Sequence, residues 1–227
     1  MLVLSLFPGI GLLDHAFELE GFCVVRGPDL LWGGDVKRFH PPSGRFDGII
    51  GGPPCQSFSP IGNVNRARYG PGSVMPDQIP AFRRVVTEAA LLWWIMENSP
   101  HAYAPFPSAH EFKLDNAWLG EPQARLRCFW SNIPLARYVT VPALVPVEAG
   151  SERTVSARGS VDWRGSRSRE SARNLADMLE LQGFPRDMLD ECPFTIGAAK
   201  KAVGNGVPLP MGRAIARAVR ESLRKAA

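Results

Sequence analysis

Phe46-Asp47-Gly48-Ile49-Ile50-Gly51-Gly52-Pro53-Pro54-Cys55-Gln56-Ser57-Phe58-Ser59 runs from an apolar, strand-like segment into a stiff loop. Residues 47–50 read as a short buried strand, and the paired prolines that follow fix φ and remove two backbone donors, so the loop cannot relax into helix. Cys55 is thereby held at the carboxyl end of a strand, which is where a nucleophilic sulfur is useful. A buried structural cysteine is the competing reading, because free cysteine packs well.

Strand and helix signals alternate on both sides of this loop. Residues 2–6 read as a first strand, Phe7-Pro8-Gly9-Ile10-Gly11 as a tight turn, and 12–19 as a helix ending at Gly21. Strands are expected at 22–25 and 94–96, and another ends at Phe129 and Trp130. Helices are expected at 79–93, 172–182 and 209–224. Residues 60–80, rich in Gly, Pro, Asn and Arg, read as a long mobile loop, and 136–172 as irregular and polar. The alternation predicts an α/β fold with an open, mostly parallel sheet. Ligands of such sheets sit beyond the carboxyl ends of the strands. The glycine turn, Cys55 and Glu97 all fall at such ends, so the three converge on one crevice.

Bulk composition narrows the class. The chain has 227 residues, 45% hydrophobic and 21% charged, as expected of one globular domain with at most a small lobe. No apolar run approaches the ~20 residues of a membrane helix, and residues 1–7 are too short and too weakly flanked for a signal segment. Cys23, Cys55, Cys128 and Cys192 are widely spaced, which argues against a zinc site or disulfide framework and for a reducing cytoplasm. Net charge is +4, a mild hint of a polyanionic partner. Arg153, Arg158, Arg164, Arg167, Arg169 and Arg173 lie among Ser and Gly around Trp163, in either a solvated linker or a phosphate-contacting surface.

Each motif has a chemical and a bland reading. Phe7-x-Gly9-x-Gly11 after a strand lets backbone approach a nucleotide-like ligand at a helix N-terminus, although many turns hold glycines. Asp14 stands where a third glycine of a dinucleotide fingerprint would be, which disfavours a nicotinamide enzyme. Asp29 and Asp35 are within reach of a ribose or an adenine amine, or are turn-formers. Glu97, after Trp93-Trp94-Ile95-Met96, is a carboxylate whose burial would raise its pKa and let it deliver a proton; a solvated strand end is the alternative. Gln123, Arg125 and Arg127 alternate and would share one face of a strand, with a phosphate, a base carbonyl or Glu97 as partner. Gly204-Asn205-Gly206-Val207-Pro208 reads as a turn before the last helix.

Taken in order, these segments resemble the C5-cytosine DNA methyltransferase family: F-x-G-x-G, then G-G-P-P-C-Q-S-F-S, then Glu97-Asn98 in place of E-N-V. Gln123-x-Arg125-x-Arg127 follows, then Arg173-Asn174-Leu175 through Leu181-Gln182-Gly183-Phe184-Pro185, and lastly G-N-x-V-x-P. The resemblance covers the chain apart from 136–172. It implies a Rossmann-like, S-adenosylmethionine-dependent methyltransferase fold, with residues 1–135 and 173–227 as catalytic domain and 136–172 as a reduced target-recognition segment. It implies that Cys55 attacks C6 of a cytosine flipped from double-stranded DNA, that Glu97 acts at N3, and that Arg125 and Arg127 hold Glu97 and the base carbonyl or phosphate. Phe7, Gly9, Ile10, Gly11, Asp29, Asp35, Pro54, Asn205 and Val207 would line the cofactor pocket. Gln56, Ser57, Ser59, Gln123, Arg164, Arg167 and Arg169 would contact DNA, with residues 60–80 closing on it. No metal is implied, and a monomeric, cytoplasmic enzyme of a prokaryote or phage is expected.

The chain also departs from the family pattern. Ser5 stands where an acidic residue is usual two positions before the motif's phenylalanine, Ser99 replaces the valine after Glu97-Asn98, and the short stretch between the second and third strands lacks room for a helix. Residues 136–172 are too few for an independent core, so recognition should be short or relaxed. A DNA-binding, methyltransferase-like protein with weak or partner-dependent activity is the alternative.

Overall fold

The computed structural model describes residues 1–144, 146, 148–152, 154–155 and 173–226. Among these, one six-stranded sheet has the order β2-β1-β3-β4-β6-β5, formed by β1 (Leu2–Leu6), β2 (Cys23–Arg26), β3 (Gly48–Gly51), β4 (Trp93–Asn98), β5 (His110–Asp115) and β6 (Leu126–Ser131). The pairings of β2, β1, β3 and β4 are parallel, whereas β6 runs antiparallel to both β4 and β5. The sheet is therefore mixed and mostly parallel, as expected.

The strands through the middle are apolar on both faces because helices cover both. On one face, Val3, Ile50, Trp93, Ile95 and Phe129 pack with Phe17 of α1 (Leu12–Leu19) and with Met211, Ile215 and Val219 of α6 (Leu209–Ala226). On the other, Leu4, Leu6, Ile49, Trp94, Met96 and Trp130 meet α3 (Ile79–Ala89), whose Ile79, Phe82, Val85, Val86 and Ala89 recur at helical spacing. Burying Phe82 alone is worth about 1.5–3 kcal/mol. A satellite cluster of Leu12, Met178, Leu179, Phe184 and Val203 ties α4 (Leu175–Leu181) and α5 (Ile196–Asn205) to the start of α1. Gly48 has no latitude: a Cβ there would lie 2.1 Å from the Trp93 ring.

Several expectations need correction. Residues 60–80 are not one long loop. They contain α2 (Pro60–Tyr69), started by the Ser59 side chain accepting from Gly62 N–H with Pro60 in the first turn, and a short turn at Pro71–Ser73. The third helix stops at Ala89, where Ala90 takes a positive φ of 51°, and Trp93 joins the strand instead. The edge strand β5 and helix α5 were not anticipated. Between β2 and β3 there are only the short turns Leu30–Trp32 and Val36–Arg38, so the missing helix is indeed missing.

Candidate active site

β3 ends at Gly51, and the chain passes through Gly52-Pro53-Pro54 into a single tight turn, Cys55–Ser57. The neighbouring strand holds this loop. Asn98 Nδ2 donates to Pro53 O at 2.9 Å, and Asn98 Oδ1 accepts from Ser99 N–H at 2.8 Å. Asn98 thus fixes the prolines, while Glu97 beside it stays available for chemistry. Gly52 lies against that carboxylate, since a Cβ on it would approach Glu97 Oε2 to 3.1 Å.

Strand register brings the second charged group. Glu97 on β4 is opposite Phe129 on β6, and Arg127, two residues earlier, is its diagonal neighbour on the same face. Arg127 Nε meets Glu97 Oε1 at 2.9 Å, with both side chains largely buried. Burial raises the Glu97 pKa, and Arg127 and Arg125 only partly oppose it. The Cys55 thiol is pushed up as well, first by burial and then by the negative charge of Glu97, with Arg127 pulling the other way. Thiolate and Glu97 carboxylate therefore disfavour each other, and a proton on Glu97 favours charge on sulfur.

Arg125 does not share this geometry, and its expected contact with Glu97 is replaced by others. It precedes β6, is 1% exposed, and donates to three backbone carbonyls: Val155 O at 2.6 Å, Gly204 O at 2.9 Å and Gly206 O at 2.8 Å. Burial works against its charge, and the three carbonyl dipoles offset this. Arg125 reaches Glu97 only through its field.

The expected DNA-contacting side chains are differently employed. Gln123 is fully buried and donates to Leu181 O, so it does not face DNA. Gln56 Oε1 accepts from Met75 N–H at 3.0 Å, Ser57 Oγ donates to Met75 O at 2.7 Å, and Ser59 caps α2. These three shape the loop rather than present free polar ends. Arg164, Arg167 and Arg169 lie outside the described residues.

The glycine turn follows β1, whose Leu6 is paired with Gly51 at the end of β3, so the turn and the Cys55 loop leave neighbouring strand ends. Phe7, Gly9 and Gly11 all have positive φ, which only the glycines adopt without strain. The bare backbone fits an adenosyl group: a Cβ on Gly9 would meet nothing within 4 Å. Asp29 accepts from Gly9 N–H at 2.9 Å and from Leu31 N–H at 2.7 Å, and Trp32 Nε1 donates back to Gly9 O. Asp35 accepts from Lys37 N–H. Both aspartates therefore work at least as turn-formers. Ile10 packs on the satellite cluster. Gly206 abuts Leu12 at the start of α1, with Val207 buried and Asn205 exposed beside it. Pro54 leads into the Cys55 turn.

Two features were not anticipated. Arg26, at the end of β2, lays its guanidinium against Gly11 and ion-pairs with buried Asp14 at 3.2 Å. Ser5 Oγ donates to the other Asp14 oxygen at 2.5 Å. The acid missing at position 5 is thus replaced by one reaching the same spot from α1, and an aspartate on the inward face of an apolar helix was its visible signal.

Residues 34–105 match the family described as C-5 cytosine-specific DNA methylase. The chain is 27% identical over 194 residues to the Type II methyltransferase M.DdeI of Desulfomicrobium norvegicum, covering 66% of this chain and 45% of that protein. It is 32% identical over 116 residues to M.NgoPII of Neisseria gonorrhoeae, covering 43% and 33%. The matches span less than half the length of these curated relatives. Among solved structures, an E. coli prophage-encoded protein described as a DNA modification methyltransferase superposes with a TM-score of 0.66 at 15% identity, covering 99% of both chains. The S. pombe Dnmt2 methyltransferase gives 0.63 at 14% identity, covering 100% and 99%. The fold is that of these methyltransferases, and the segment that matches the C-5 cytosine-specific DNA methylase family is the one that holds the G-G-P-P-C loop and the Glu97-Asn98 strand end.

Proposed function

We propose that the chain is a DNA cytosine-5 methyltransferase that moves a methyl group from S-adenosylmethionine to C5 of a cytosine flipped out of double-stranded DNA. The observation that carries this reading is the convergence of Cys55, Glu97 and Arg127 at adjacent strand ends, beside an open glycine turn.

In this reading the Cys55 thiolate adds to C6 of the base, and electrons move toward C5 and N3. Glu97, kept protonatable by burial, holds a proton at N3, so negative charge does not build up on the ring. That proton also removes the charge which opposes the thiolate, coupling base binding to nucleophile formation. Arg127 orients Glu97 and faces the base. Phe7, Gly9, Ile10, Gly11, Asp29, Asp35, Pro54, Asn205 and Val207 hold S-adenosylmethionine, which supplies an electrophilic methyl group when bound. The C5 proton then passes to water, and Cys55 departs as thiolate, which releases the product base.

Residues 1–135 and 173–227 form the catalytic domain and 136–172 the recognition segment. Support for one working unit comes from Glu152, whose backbone pairs with Pro122 and Ala124 and whose carboxylate meets Arg173 at 2.7 Å. Arg164, Arg167 and Arg169 supply phosphate affinity. The protein works as a monomer, in a prokaryotic or phage-infected cytoplasm that keeps its cysteines free. The weak or partner-dependent alternative is favoured only by the shortness of 136–172.

Base-resolution mapping of 5-methylcytosine in DNA from cells expressing the chain, beside a Cys55→Ser control, tests the reading. Methylation at a short motif with the intact cysteine alone is expected. Soluble protein with no methylation would overturn it.

A further inference from the structure

Arg26 has no assigned role in the chemistry above, yet it occupies the mouth of the glycine turn. A Cβ on Gly11 would lie 2.3 Å from its Nη2 and 2.6 Å from its Cζ, so the guanidinium plane rests on the bare backbone where the cofactor pocket begins. Its Nε edge is turned to Asp14 Oδ2 at 3.2 Å. Asp14 is 1% exposed on its side chain and is fixed from below by the Ser5 hydroxyl, whereas the Arg26 side chain is 51% exposed. One edge of the fork is therefore anchored on a buried acid, and the rest lies half-exposed over Gly11. A guanidinium has five donors in a planar fork, so anchoring through Nε leaves the outer donors able to meet a second planar anion.

We propose that Arg26 binds the α-carboxylate of the cofactor's methionyl moiety, with Asp14 and Ser5 as positioning residues. This rests on the reading of the crevice as an S-adenosylmethionine site. An aliphatic residue here would leave the buried Asp14 carboxylate with the Ser5 hydroxyl but no countercharge. The arginine instead turns the acid's charge into a device that aims a cation along the glycine turn. Charge-assisted, bidentate contacts to a carboxylate are the strong and specific kind.

The test is equilibrium binding by titration calorimetry. The ligands are S-adenosylhomocysteine and its decarboxylated analogue, which keeps the adenosine, the sulfur and the amine. Wild-type protein should prefer the carboxylate-bearing ligand by at least about tenfold, the scale of one charge-assisted contact. Arg26→Gln should erase that preference, weakening S-adenosylhomocysteine by about tenfold or more and the analogue by less than about threefold. Asp14→Asn should give a smaller loss of the same kind. Equal weakening of both ligands would make Arg26 merely structural, and tighter binding of S-adenosylhomocysteine would make it an obstruction; either overturns the proposal. A preference that survives in Arg26→Gln overturns it too. If Arg26→Gln does not fold, Arg26→Lys carries the comparison, since it keeps the charge but not the fork, and an undiminished preference there refutes fork recognition. Wild-type protein that binds neither ligand would instead overturn the cofactor reading itself.

Discussion

Replacing Arg125 by methionine separates bracing from chemistry. The side chain is buried and donates to Val155 O, Gly204 O and Gly206 O at 2.6–2.9 Å. Methionine keeps most of the volume but supplies no donor. A buried acceptor left without a partner costs about 1–3 kcal/mol, so three of them, allowing for relaxation, cost about 3–6 kcal/mol. Against a total stability of about 5–15 kcal/mol, that is a large fraction and lowers Tm by about 6–24 °C. Denaturant titration followed by tryptophan fluorescence measures it, with unchanged slope as the sign that the same surface unfolds. A loss below about 1 kcal/mol, together with abolished methyl transfer, would refute the bracing argument and return Arg125 to the reacting atoms.

Arg127→Met removes the partner of a buried carboxylate, so the Glu97 pKa, already raised mainly by burial, climbs further. A folded-state pKa above the unfolded value means that stability is full below the unfolded pKa and falls as pH rises through the folded one. The variant's deficit should therefore be larger at pH 8 than at pH 5, and a pH-independent deficit would contradict the pairing. Glu20 is a buried carboxylate ringed by Arg213, Arg217 and Arg220 on α6. Burial works to raise its pKa, but bonds from Arg217 and Arg213 outweigh it and hold it below the usual range. Its contribution is present above the unfolded pKa and is lost as pH falls through the lower folded one. Because the arginines are about half exposed, Glu20→Gln should cost about 1–2 kcal/mol at pH 7 rather than the full penalty of a buried pair. Thermal melts at pH 7 and pH 3 should show that deficit shrinking in acid.

The edge that carries Cys55 and Glu97 was legible because its signals are local. An apolar run followed by two prolines and a cysteine, or by a glutamate and an asparagine, declares a strand end whatever surrounds it. What remained hidden depended on partners distant in sequence. The alternation of Gln123, Arg125 and Arg127 gave no sign that β6 starts only at Leu126, which leaves Gln123 and Arg125 buried in the segment leading in and Arg127 alone beside Glu97. Gln56 and Ser57 looked free because Met75, the residue they hold, lies some twenty positions on. β5 does alternate, as His110-Glu111-Phe112-Lys113-Leu114-Asp115, but with enough charge to read as loop; edge strands carry such charge. In α5, Gly197 and Gly204 diluted the helical pattern that the Thr195 cap begins. Ser5 and Asp14 each stood out singly in the sequence, but their link to each other and to Arg26 exists only once β1, α1 and β2 bring them together.

The central claim is that Cys55 forms a bond to cytosine C6. DNA isolated from cells grown with 5-aza-2′-deoxycytidine carries a ring that traps such an attack in every sequence context. It should be incubated with the purified protein and S-adenosylmethionine, digested with nuclease and protease, and the peptides analysed by mass spectrometry. The account predicts a nucleotide adduct on the peptide that holds Cys55, absent in Cys55→Ser. An adduct on Cys23, Cys128 or Cys192, or methyl transfer to DNA that persists in Cys55→Ser, would contradict it.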